Sequence, residues 1–105
     1  MVAIGALALA VLGCGGSDVS DQEQARAIRA AKQAYEMTAA RGERLEVGPC
    51  IAEELAGMPL WVADIAHDPR EDIDDAPENQ CQRYREGEAS HFVELTPGGE
   101  LIRAR

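Results

Sequence analysis

The residues from Val2 to Leu12, VAIGALALAVL, form an uninterrupted apolar run, and the first charge of the chain is Asp18. As a helix this run is about 16 Å long against a hydrocarbon core of about 30 Å, so it cannot span a bilayer. Its length and the small Gly13 behind it are those of an export signal's hydrophobic region and cleavage region. Such a signal ordinarily opens with Lys or Arg, so either the true start lies upstream or the α-amino group alone supplies the positive end. A segment removed on export contributes nothing to the fold, so the folded unit is built from the residues after it, in an oxidising compartment.

The run ends in Val11-Leu12-Gly13-Cys14, which resembles the lipobox of bacterial lipoproteins. The resemblance implies a signal peptide over residues 1–13 and a Cys14 that carries lipid and becomes the new N-terminus. Diacylglycerol and palmitate-type chains, at about 0.8 kcal/mol per buried methylene, suffice for stable attachment to the cell membrane, facing its extracytoplasmic side. Residues 14–20 then read as the lipidated cysteine and a small, polar tether (GGSDVS after Cys14), with a reach of about 13 Å. Residues 21–105 are enough for one small domain and too few for two.

With Cys14 set aside, Cys50 and Cys81 are an even pair with one possible connectivity, and a disulfide is the expectation. Closing that loop stabilises a small fold by about 3 to 4 kcal/mol in the chain-entropy model. Neither cysteine has the Cys-x-x-Cys or Cys-x-x-His spacing of a metal site.

The chain has 19 acidic residues against 10 basic ones, a net charge of −9, which argues against a nucleic-acid partner because phosphate binding needs a basic footprint.

Ser20-Asp21-Gln22-Glu23 is a capping-box sequence, and Ala25, Ile28, Ala31, Tyr35 and Thr38 or Ala39 recur at helical intervals up to Gly42. These residues predict a first helix with a thin, alanine-rich apolar stripe. Gly48-Pro49 breaks the chain, Ile51 to Leu55 predict one short turn, and Gly57 and Pro59 break it again. Leu60 to His67 read as a strand with Trp61, Ala63 and Ile65 on one face and Leu60, Val62 and Asp64 on the other, stopped by Asp68-Pro69. Residues 71–80, EDIDDAPENQ, read as an exposed acidic loop, and Cys81 to Arg85 as a short strand or helical turn. Ser90 to Leu95 and Leu101 to Arg105 flank Thr96-Pro97-Gly98-Gly99-Glu100 and predict a β-hairpin.

These elements make the fold class α+β, one N-terminal helix packed on a three- to four-stranded antiparallel sheet ending in a β-hairpin. This element order, with the cadence HFVELTPGGELIRAR, is similar to the small PepSY and cystatin-like exported domains. That resemblance implies inhibitory or accessory roles toward other proteins, and it carries no inhibitory residue onto a numbered position of this chain.

Asp64, His67, Asp68, His91 and Glu94 are the set that combines imidazoles with carboxylates on neighbouring strands. Pairing of those strands would let His67 and His91 approach each other at a sheet edge, as two ligands for a divalent metal in a hydrolase. Asp72, Asp74, Asp75 and Glu78 offer hard oxygen ligands on one loop, although Pro77 and Arg83 occupy the positions where an EF-hand needs glycine and glutamate. In both places ordinary surface residues are the more economical reading, so no metal, cofactor or catalytic residue is expected. The expected role is that of a lipid-anchored extracytoplasmic binding or accessory protein, attached to the membrane through Cys14 and with an envelope or extracellular protein as its partner. The alternatives are an inhibitor of an extracellular lysozyme or peptidase, whose basic surface the acidic chain would attract, and a hydrolase using His67 and His91.

Overall fold

The computed structural model describes residues 19–105, and the signal, lipidation and tether expectations for residues 1–18 lie outside them. The first helix, α1, spans Asp21–Ala40, begins where the Ser20 side chain accepts the Glu23 amide at 3.0 Å, and ends two residues before Gly42 at φ 79°. Its buried positions are Ala27, Ala31 and Thr38, with Ile28 and Tyr35 packed beside them, so the stripe is rotated from the expected one and Ala25 faces solvent. Glu23 does not close the capping box. Its carboxylate accepts a hydrogen bond from Trp61 Nε1 at 2.8 Å instead, which ties the helix start to the sheet.

Four strands follow: β1 (Cys50–Ala52), β2 (Trp61–Ile65), β3 (His91–Leu95) and β4 (Leu101–Ala104), arranged in that spatial order. The fold class is α+β, as expected, with one correction. The outer pairs are antiparallel, but β2 and β3 run parallel, with Trp61 beside His91 and Ile65 beside Leu95. Parallel neighbours need a long crossover, and residues 66–90 provide it. β1 also corrects the expected turn at Ile51 to Leu55: the segment pairs with β2 because Cys50, held by its disulfide, lies opposite Asp64.

The crossover contains two single-turn 3₁₀ segments, Asp72–Asp75 and Pro77–Asn79, and a short helix α2 (Gln82–Arg85). α1 packs on all four strands from one side of the sheet. Trp61, Ala63, Ile65, Val93 and Leu95 meet it there and form the main core with Leu45, Leu55 and Met58. On the opposite side Val62, Cys81 and Ala89 make a second, smaller cluster with Cys50 and Phe92. Both faces of β2 are therefore covered, which explains its nearly continuous burial.

The hairpin forms as expected, closed by Thr96 N–H to Glu100 O at 2.7 Å and Gly99 N–H to Thr96 O at 2.8 Å. Gly99 has φ +90°, and a Cβ there would stand 2.8 Å from the Tyr35 ring, whose hydroxyl donates to Pro97 O at 2.8 Å. The turn thus needs glycine both for its backbone and for the approach of α1. Among the described residues no helix is long and apolar enough to cross a membrane.

Candidate binding cleft

The pairing registers line up one row of side chains across all four strands on the face away from α1. Cys50 lies opposite Asp64, Asp64 beside Glu94, and Glu94 opposite Arg103. A second row joins Val62 to Phe92, and Phe92 exchanges backbone hydrogen bonds with Arg105 at 2.8 and 3.0 Å. Above these rows the crossover leaves an open cleft of about 740 Å³, lined by Val62, Asp64, Phe92 and Glu94 from the sheet and by Arg70, Tyr84 and Arg85 from the crossover.

Three anchors hold the crossover over the sheet. The disulfide between Cys50 and Cys81, with Cα atoms 4.9 Å apart, ties the start of α2 to β1. Glu53 accepts the Gln82 and Arg83 amides, each at 2.9 Å, and so caps that helix. Arg70 reaches Glu94 Oε2 at 3.2 Å and Asp75 Oδ1 at 3.1 Å, clamping the acidic segment onto the sheet.

Glu94 receives a second arginine, Arg103, at 3.2 Å. Asp64 has no such compensation: its Oδ1 is buried and without a hydrogen-bond partner among the described residues. Burial first, and then the neighbouring Glu94 charge, push the Asp64 carboxyl up to about 7, with Arg70 opposing them only in part. The Asp64 carboxyl is therefore on the edge of ionising near neutrality, beside a Glu94 that pairs with two arginines.

The acidic segment is largely exposed, as the sequence predicts, except at Asp74. Asp74 is buried, accepting the His67 and Glu71 amides at 2.9 and 3.0 Å through Oδ2 and facing His67 Nδ1 at 2.9 Å through Oδ1. Burial disfavours its charge, but the two amides and the imidazole outweigh that and hold its carboxyl below the ordinary value. The same contact, opposed by partial burial, raises the His67 imidazole. Gly48 makes the approach of Asp74 possible. It has φ +77°, and a Cβ there would stand 2.6 Å from Asp74 Oδ1.

Neither of the two candidate ligand sets converges among the described residues. Asp74 is turned inward, Asp75 is paired with Arg70, and Asp72 and Glu78 point to solvent, so the four do not converge on a cation. His91 stacks on Trp61 with ring centroids 4.9 Å apart, at the start of the parallel pair, whereas His67 follows its far end. At about 3.3 Å per residue the two imidazoles are separated by about 20 Å along the strands, and Asp68 is exposed beyond them. Among the described residues, Cys50, Glu53 and Cys81 group their ligand atoms within 4.8 Å, but the sulfurs are bonded to each other and Glu53 caps α2.

Of the residues singled out from sequence, the structure brings Asp64 and Glu94 together and separates the histidines from them. Arg70, Tyr84, Arg85 and Phe92 were missed as site residues. Only the crossover brings the first three to the sheet, and no local spacing announces that. The chain matches no protein-family model, no curated protein and no solved structure.

Proposed function

We propose that this chain is a lipid-anchored, extracytoplasmic binding protein, held on the membrane through Cys14, whose working surface is the cleft between the sheet and the crossover. The anchoring rests on the Val11-Leu12-Gly13-Cys14 ending of the apolar run, and the disulfide suits an oxidising compartment. The observation that carries the binding role is the cleft itself. Its volume lies within the usual range for ligand sites, and its walls mix apolar and aromatic side chains with a few converging polar groups. Nucleic acid is not the partner of a chain with net charge −9. The reading includes no catalytic step.

The test is capture from a cell-envelope extract on the immobilised mature chain, with retained proteins and small molecules identified by mass spectrometry. A Tyr84→Ala, Arg85→Ala variant serves as the control, since both side chains are exposed on α2. A component retained by the wild type and lost from the variant supports the reading. Equal retention, or none by the wild type, contradicts it. A basic hydrolase inhibited on capture would make the protein an inhibitor, the reading that its acidic charge favours.

A further inference from the structure

All ten bases of the chain fall within the described residues, and five of them, Arg26, Arg29, Lys32, Arg85 and Arg105, have no carboxylate side chain of the described residues within ion-pair distance. The first three lie on α1. Arg85 and Arg105 line the cleft. With Arg70 they set three positive side chains against Asp64 and Glu94, so the side chains of the lining sum to +1 with Asp64 ionised and +2 with it protonated. This excess of positive charge lies in a chain whose total is −9. Beside it Tyr84 and Phe92 meet edge to face, centroids 5.3 Å apart, over Val62.

We propose that the cleft binds a small organic carboxylate bearing an aryl or alkyl group, with the carboxylate at Arg85 and Arg105 and the apolar part on Val62, Tyr84 and Phe92. The proposal rests on the cleft being the binding site and adds the class of ligand. Arginine suits a planar carboxylate because its guanidinium offers paired donors. A cationic ligand would meet Arg70 as well as the two free arginines, while Glu94 is already matched by Arg70 and Arg103.

Asp64 couples this binding to pH. The groups facing it are Glu94 from β3, Arg70 and Asp74 from the crossover, and the uncharged Cys50 disulfide from β1. His67, whose imidazole is raised by Asp74, lies beyond the end of β2 with its ring turned to Asp74. An anion in the cleft is opposed by ionised Asp64 and not by the protonated form, so affinity falls as pH rises through neutrality.

The test is a titration of amide NMR shifts on the unlipidated mature chain (Cys14→Ser), which retains every element of the fold, since these lie between residues 21 and 104. The probes are 3-phenylpropionate, 3-phenylpropionamide and 3-phenylpropylamine. The carboxylate is expected to shift the amides of Tyr84, Arg85 and Phe92 and to bind about tenfold tighter than the other two, the scale of one charge-assisted contact. Its affinity is expected to drop up to about tenfold between pH 6 and pH 8, and Asp64→Asn to remove that drop. Arg85→Gln with Arg105→Gln should abolish the preference for the carboxylate, whereas Lys32→Gln on α1 should not. If the amide or the amine binds as tightly at the same residues, the anion proposal is overturned while the cleft remains the binding site. If no probe shifts any cleft amide, the proposal is overturned, and the binding role falls only if envelope capture fails too.

Discussion

Asp64 and Glu94 stand side by side on the two parallel central strands, and only Glu94 has cationic partners. Burial first, and then the neighbouring charge, raise the Asp64 carboxyl from 3.8 to about 7.

That asymmetry costs the fold. A carboxyl whose folded value exceeds its unfolded one opposes folding once it ionises: nothing below about pH 3.8, a growing cost up to about pH 7, and a constant one above. Asp64→Asn is therefore expected to stabilise the protein by a few kcal/mol at about pH 8 and by close to nothing at about pH 3.5. Urea unfolding of both forms at the two pH values reads this difference. A destabilised variant at the higher pH would mean that ionised Asp64 is satisfied.

The Cys50–Cys81 disulfide joins β1 to the end of the crossover across a sequence separation of 31. Reduction, or the Cys50→Ser, Cys81→Ser double substitution, should cost about 3 to 4 kcal/mol by loss of the loop constraint. Hydrogen exchange should rise first in residues 71–85, which lose their tie to β1 while Arg70 still holds Glu94. Urea midpoints unchanged by reductant would count against a structural role.

Asp74 and His67 stabilise the crossover over a bounded pH range. Asp74 is depressed, so its contribution is present above its ordinary value of 3.8 and lost as pH falls through its folded value. His67 is raised, so its contribution is present below its ordinary value of 6.5 and lost as pH rises through its folded value. Asp74→Asn should destabilise by about 1 to 3 kcal/mol near pH 5.5, and by less at higher pH, once the imidazole has lost its charge. Gly48→Ala should disturb the same contact at any pH, because its Cβ would press on Asp74. Thermal unfolding across this range measures both variants.

Much of the frame was legible in local sequence. Ser20 and Gly42 bound α1, the alternation in Trp61 to Ile65 assigns the faces of β2, and Thr96 to Glu100 forms the turn of the hairpin. What sequence could not supply is how strands distant along the chain pair. Nothing local distinguishes a parallel β2–β3 pair from an antiparallel one, and that choice sends His67 and His91 to opposite ends while setting Asp64 beside Glu94. The acidic composition of residues 71–80 likewise says nothing of Asp74 turning inward, because its partners are backbone amides and His67. The cleft depends on both, since Arg70 and α2 reach the sheet only through the folded crossover.

The packing at the floor of the cleft and the pH dependence proposed for it depend on Asp64 lying desolvated beside Glu94, and the titration of its carboxyl carbon by ¹³C NMR tests that most directly. The resonance, assigned by its loss in Asp64→Asn, should titrate with a midpoint of about 7. A midpoint near the ordinary 3.8 would mean that Asp64 is solvated, and would contradict both the architecture of the cleft and the pH dependence drawn from it.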